Sequence, residues 1–245
     1  MVITSRTNTL IKRVIKLNAD RKYRKEEGLY VVEGIKSVSE CITAGCELEK
    51  LICTENHSQT FPQSVIVSDS VFGAISSEKT PQGVLALVRL PQSDLKPPSG
   101  KCLLLDRLQD PGNLGTIIRT ANAAGYSEIY LVNCTDAYGP KAVRASMSGI
   151  FFVKTVCCTL EEAFKALREV PLICADMDGE NIFSFCPPEK FCLCIGNEGG
   201  GICSEIMEKS AYKVKIPMRE TCESLNAAVS AGIAMYQLKN TLSRG

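Results

Sequence analysis

The sequence predicts an α/β fold with a mainly parallel sheet, and three observations support it. Short apolar runs alternate with segments of helical spacing along most of the chain. Three strand-like runs lead into glycines and uncharged polar groups, at the kind of strand end where open α/β sheets bind ligands. These ends are Asp110-Pro111-Gly112-Asn113-Leu114-Gly115 running on to Arg119, then Gly196-Asn197-Glu198-Gly199-Gly200, then Ile216-Pro217-Met218 leading to Ser224-Leu225-Asn226. Finally, the Pro-rich polar stretch from Pro91 to Gly100 reads as a linker. It divides a smaller N-terminal α/β unit, residues 1–93, from a larger one, residues 101–245, with 94–100 between them.

The elements follow in order. Residues 1–25 carry eight Lys and Arg against only Asp20, and Leu10, Val14 and Leu17 recur at helical spacing. This predicts a basic amphipathic helix. Leu29–Val32 reads as a strand, Ile35 to Ala44 as a helix stopped by Gly45, and Leu48–Cys53, Val65–Val67 and Gly83–Val88 as further strands. Beyond the linker, Cys102–Leu105 reads as a buried strand. Asn113 reads as the N-cap of a helix with Leu114, Ile117, Ile118 and Ala121 on its apolar stripe and Gly125 at its end. Ile129–Val132 is the next strand, and Phe151-Phe152-Val153 follows a short helix near Lys141 to Met147. Thr159 and Glu162 form a capping box for a helix through Glu169. Strands at Leu172–Ala175, Phe191–Ile195 and Tyr212–Ile216 precede a small-residue-rich helix from about Leu225 to Lys239. Leu225, Val229, Ile233 and Tyr236 share one stripe of it. That helix suits tight internal packing or a dimer contact.

Composition excludes several classes. A hydrophobic content of 45% over 245 residues supports a substantial core, and a net charge of +1 imposes no global basic field. The thirteen cysteines contain no Cys-x-x-Cys pair, and with one histidine no Cys/His zinc pattern can be assembled. They read as small buried hydrophobes in a reducing compartment. No apolar stretch is long enough to span a membrane and no signal-peptide core is present, so the expected location is cytoplasmic. Neither a G-x-G-x-x-G turn after a strand, nor a P-loop, nor a G-x-S-x-G elbow occurs. His57, in a polar loop, is a poor general base. Metal and histidine-dependent hydrolytic chemistry are disfavoured.

What remains is an arginine, a glutamate, a serine, asparagines and glycines at three strand ends. Arg119 offers a guanidinium for an anion near a helix start. Glu198 offers a carboxylate in a glycine-rich turn, where Gly199, Gly200 and Gly201 permit close backbone approach. The basic run offers Lys12, Arg13, Arg21, Lys22 and Arg24 as a phosphate-backbone surface.

The three segments resemble, in order, the three motifs of the SpoU/TrmH family of RNA ribose 2′-O-methyltransferases within the SPOUT superfamily. The likeness covers about residues 102–240, through D-P-G-N-L-G-x-x-x-R, I-G-N-E-G-G-G and I-P-M…E-S-L-N. Tyr30-Val31-Val32-Glu33-Gly34 also resembles the ribosomal-protein-like substrate-binding domain of many members. The resemblance implies an α/β trefoil-knot domain that holds S-adenosylmethionine, and a homodimer with the site near its interface. It assigns catalytic roles to Asn113, Arg119, Glu198, Ser224 and Asn226. Cofactor contacts fall on Gly196, Ile216 and Leu225, with Leu131, Ile195, Met218 and Ala227 as neighbours. Glu220 departs from the pattern, since many members have glycine there. Ribosomal RNA is the expected substrate, with transfer RNA the alternative. A non-catalytic RNA-binding factor on the same fold and a small-molecule α/β enzyme are the competing readings.

Overall fold

The computed structural model describes residues 2–92, 95–197 and 199–241. Its first half contains β1 (Val2–Ile3), α1 (Thr9–Ala19), α2 (Arg21–Glu27), β2 (Leu29–Glu33), α3 (Ile35–Thr43), β3 (Leu48–Thr54), β4 (Val65–Val67), α4 (Asp69–Ile75) and β5 (Val84–Arg89). The strands form a mixed five-stranded sheet in the order β1-β4-β3-β5-β2, antiparallel only where β5 meets β2 and β3. The apolar stripe of α1 (Ile11, Val14 and Leu17) packs with α4 residues Val71, Phe72 and Ile75 on one face of this sheet.

The basic run is two helices, not one. Asp20 ends α1 and caps α2, its carboxylate accepting from the N–H groups of Lys22 (2.8 Å) and Tyr23 (3.2 Å). The break redirects the cations. Arg13 turns inward to Glu27 and Glu49.

The second half contains β6 (Cys102–Asp106), α5 (Pro111–Ala124), β7 (Glu128–Val132), α6 (Pro140–Ala145), β8 (Lys154–Cys158), α7 (Leu160–Ala166), β9 (Leu172–Asn181), β10 (Cys192–Ile195), α8 (Ser204–Glu208), β11 (Tyr212–Lys215) and α9 (Ala227–Thr241). All six strands are parallel, in the order β11-β9-β10-β6-β7-β8. Leu103, Leu105, Leu193 and Ile195 face α5 and α9, while Cys102, Leu104, Cys192 and Cys194 face α7 and α8. Cys102, Cys174, Cys192 and Cys194 of this sheet are free thiols filling a close-packed layer.

Several sequence expectations change. Asp110, not Asn113, caps α5: its carboxylate accepts from the Asn113 N–H (2.8 Å), and Pro111 occupies the first helical turn. Asn113 therefore sits inside that turn. Phe151 closes a 3₁₀ turn, Gly149–Phe151, and the strand beyond it runs over Lys154–Cys158. The strand beginning at Leu172 continues to Asn181. In α9 the core face carries Ala227, Ala228, Ala231, Ala234, Met235 and Leu238, whereas Val229 and Tyr236 of the anticipated stripe are exposed. Small residues face inward because α9 lies close on α5, with Gly232 opposite Thr120.

The two sheets share one apolar cluster, which joins Tyr30, Val32, Val84 and Ala86 to Leu103, Ile117 and Leu193. Tyr30 and Tyr138 meet at a tilt, 5.0 Å between ring centroids. Beside them, Arg24 is 6% exposed and pairs with Asp136 at 2.7 Å. Its guanidinium also donates to the Leu17 and Asn18 carbonyls. Arg24 therefore belongs to the junction of the halves, and its inclusion in a phosphate surface is corrected: no donor face is left for RNA.

Candidate cofactor cavity and catalytic residues

The C-terminal ends of β9, β10 and β11 surround a cavity of about 260 Å³. Its walls come from Ala175, Asp176 and Met177 within β9, Ile195, Gly196 and Asn197 at and beyond the end of β10, and Ile216 and Met218 after β11. Ser224, Leu225, Ala227, Ser230 and Ala234 close it from the entry and first turns of α9. Six of the seven predicted cofactor contacts therefore meet here: Gly196, Ile216, Leu225, Ile195, Met218 and Ala227. Leu131 does not. It is buried in β7, two strands from β10 across β6, and borders a different cleft.

Gly196 is required by packing. A Cβ there would lie 2.2 Å from the Gly201 carbonyl carbon, because the loop folds back on itself with Asn197 and Gly201 exchanging backbone hydrogen bonds. Asn197 holds the turn, its side-chain oxygen accepting from the Gly199 N–H (2.8 Å) and its amide donating to the Arg107 carbonyl (2.9 Å). Two residues at the end of β6 anchor the loop further. Asp106, 2% exposed, accepts from the Cys203 N–H (2.8 Å), and Arg107 donates to the Gly201 carbonyl (3.3 Å). Arg107 does so from a backbone φ of 56°, a conformation L-residues rarely adopt.

The first and third motifs touch directly. The Asn226 amide donates to the Asn113 side-chain oxygen at 3.0 Å. Its own oxygen caps α9, accepting from the N–H groups of Ala228 (3.0 Å) and Val229 (3.3 Å). Ser224 is exposed on the cavity wall, and its carbonyl accepts from the Cys222 thiol. Asp110 steadies the start of α5 through Lys141 (2.9 Å); that ion pair, then the Asn113 N–H, holds its carboxyl below the usual carboxylate range. Arg119 is exposed on α5, does not line the cavity, and is backed by Gly149, where a Cβ would come within 3.0 Å of the Arg119 Cα. Glu198 lies outside the described residues. Glu220 does not have positive φ, so no glycine is needed there, and Arg219–Cys222 closes as an ordinary turn.

Sequence reasoning missed Ala175, Asp176, Met177, Ser230 and Ala234 as wall residues. Ser230 and Ala234 stand one turn apart, so the small-residue face of α9 was their signal. The β9 wall had none, because it depends on a break in the β9–β11 register, where Lys213 pairs with Cys174 but Val214 with Glu180.

Comparison with known proteins agrees with this geometry. Residues 100–236 match the SpoU rRNA Methylase family, and residues 8–86 match an MRM3-like substrate binding domain. A 23S rRNA (guanosine(2553)-2′-O)-methyltransferase of Bacillus subtilis is 32% identical over 97% of this chain and 98% of its own length. Among solved structures, an AdoMet-bound rRNA methyltransferase from Sinorhizobium meliloti superposes with a TM-score of 0.90 at 28% identity, covering 99% of this chain and 98% of that one. The SpoU methyltransferase AviRb of Streptomyces viridochromogenes, in complex with AdoMet, gives 0.87 at 25% identity over 97% and 99%. With its second and third motifs walling one cavity, its first motif joined to the third through Asn113, and its family match spanning more than half of its length, the chain belongs to the SpoU rRNA methylase family.

Proposed function

We propose that this chain is an S-adenosylmethionine-dependent methyltransferase that methylates a ribose 2′-OH in ribosomal RNA. The observation that carries the reading is the cavity itself, walled by the second and third motifs and bordered by the Asn113–Asn226 contact. Its residues fit the cofactor. Ile195, Ile216, Met218, Leu225 and Ala227 offer apolar walls to an adenine ring, and Asp176 and Glu223 place carboxylates where a sulfonium or ammonium is favoured. Bound there, S-adenosylmethionine would supply an electrophilic methyl group for in-line displacement, chemistry in which positioning contributes much of the rate.

The protein must then orient the ribose and stabilise the oxygen that loses its proton. Arg119 serves as a permanent cation, holding a neighbouring phosphate bidentately and stabilising the developing alkoxide. A neutral arginine is too costly to act as base, so the proton leaves to phosphate or water. Asn226 fixes the Asn113 amide, and Glu198 and Ser224 complete the set.

Arg119 lies outside its own chain's cavity, so the reading includes a homodimer. Exposed Val229 and Tyr236 on α9, with Met147 and Phe152 near Gly149, supply unpartnered apolar area around it. Pairing two copies through this face places Arg119 at their junction, within reach of a cavity. The expected setting is the cytoplasm.

The test compares wild type, Arg119→Lys and Arg119→Ala. Calorimetry should find S-adenosylmethionine binding in all three and no nucleoside triphosphate binding. Methyl transfer should fall at least a hundredfold in Arg119→Ala and remain low in Arg119→Lys. Full activity in the lysine variant would refute the bidentate role.

A further inference from the structure

A second cleft, of about 270 Å³, lies at the C-terminal ends of β7 and β8. One wall belongs to the first half of the chain, through Arg21 and Lys25 on α2. The other belongs to the second half, through Asn133, Cys134, Cys157, Cys158 and Thr159. It opens at the same end of the parallel sheet as the cofactor cavity.

The basic run of residues 12–25 has been sorted by folding. Arg13 and Arg24 are committed to internal carboxylates, Lys22 reaches Glu26, and Lys16 lies over the Tyr23 ring. Lys12 is exposed but does not line the cleft; Arg21 and Lys25 are exposed and do line it, and neither makes an ion pair among the described residues. Arg21 is pre-oriented by donating to the Cys134 carbonyl at 3.3 Å. The cleft's one carboxylate, Glu162, is occupied by the Thr159 N–H (2.8 Å) and hydroxyl (3.1 Å). Two cations against one internally bonded carboxylate leave the cleft net positive.

We infer that this cleft grips the phosphodiester backbone of the RNA strand next to the target nucleotide, with Arg21 and Lys25 on phosphates and the Asn133 amide on a sugar or base edge. The inference rests on the reading of the chain as an RNA methyltransferase. A ligand that bridges the two walls would set the RNA's register against the catalytic sheet, as phosphate contacts do in nucleic-acid complexes generally.

Cys157 supplies a built-in reporter. Its exposed thiol shares the cleft with both cations, although burial of the sulfur outweighs them and pushes the thiol up. The full-length wild type is alkylated with a maleimide at pH 8.5, with and without an unmodified 23S rRNA transcript, and modification is read peptide by peptide. RNA should slow alkylation of Cys157 at least fivefold while leaving exposed Cys186 unchanged. In parallel, Arg21→Gln/Lys25→Gln should raise the RNA KM about tenfold and leave S-adenosylmethionine affinity unaltered. Its salt dependence should flatten by about 1.4 in the slope of log K against log salt, the value for two single-strand phosphate contacts. Equal alkylation with and without RNA, or an unchanged KM and slope in an active double variant, would overturn the proposal. Cys157 protection in a wild type that transfers no methyl group would uphold the cleft and reject the catalytic reading instead.

Discussion

Arg107 shows how a single residue can trade local strain for the shape of a site. Its φ of 56° costs on the order of 1 kcal/mol in a non-glycine residue. The neighbours hold it there: its carbonyl accepts from Asn197 and Gln109, and its guanidinium reaches Gly201. Replacement by glycine separates the two effects. Arg107→Gly should keep or slightly raise the melting temperature, because the backbone is relieved, yet weaken S-adenosylmethionine binding about fivefold as the loop loosens. Calorimetry and thermal melting check this, and unchanged affinity would show that the guanidinium does not position the loop. None of this was legible in the sequence, where Arg107 is one charged residue after an apolar run. Gly196, Ile216 and Leu225 were named through the family resemblance of their motifs, and all three line one cavity, Gly196 and Ile216 just past strand ends and Leu225 at the entry to α9. Arg24 was misread because its partner, Asp136, lies 112 residues away, and the ion pair of Arg13 with Glu49, 36 residues away, was equally invisible.

At the scale of elements, the site depends on how α5 and α9 begin. Both Asp110 and Asn113 are good capping residues; Pro111 decides between them, since proline fits the first helical turn, and Asn113, one turn in, meets Asn226 through its side chain. Asp110→Ala should cost about 1 kcal/mol at neutral pH and lower methyl transfer more than stability alone explains. Because Lys141 and the Asn113 N–H hold the Asp110 carboxyl low, its contribution is complete above the usual carboxylate range. It is lost as pH falls through the folded value. The melting-temperature gap between wild type and variant should therefore narrow in acid, and a constant gap would contradict the capping role. The alternation of strand and helix was readable from periodicity. The orientation of α9 was not, because alanines and glycine let it pack closely on α5 by its small side and leave Val229 and Tyr236 outside.

Across the whole molecule, one apolar cluster runs through both halves despite the polar segment between their sheets, so the two should unfold as one cooperative unit. Arg24 sits at that junction, and its replacement by methionine leaves Asp136 without its cation. Arg24→Met should cost about 3 kcal/mol, the range for breaking a buried pair from one side, and should be seen as a lowered urea midpoint in a single transition. Two separated transitions in the wild type would show that the halves unfold independently. The same junction shapes the cleft of Arg21 and Lys25, so RNA grip and the catalytic sheet are held in one frame. The central claim, that this frame delivers a methyl group to a ribose oxygen, is met most directly by a transfer assay. Labelled S-adenosylmethionine is incubated with an unmodified 23S rRNA transcript, and the product is digested to nucleosides. The account predicts label in a single 2′-O-methylnucleoside, absent with Arg119→Ala; label on a base, or none while the cofactor binds, would contradict it.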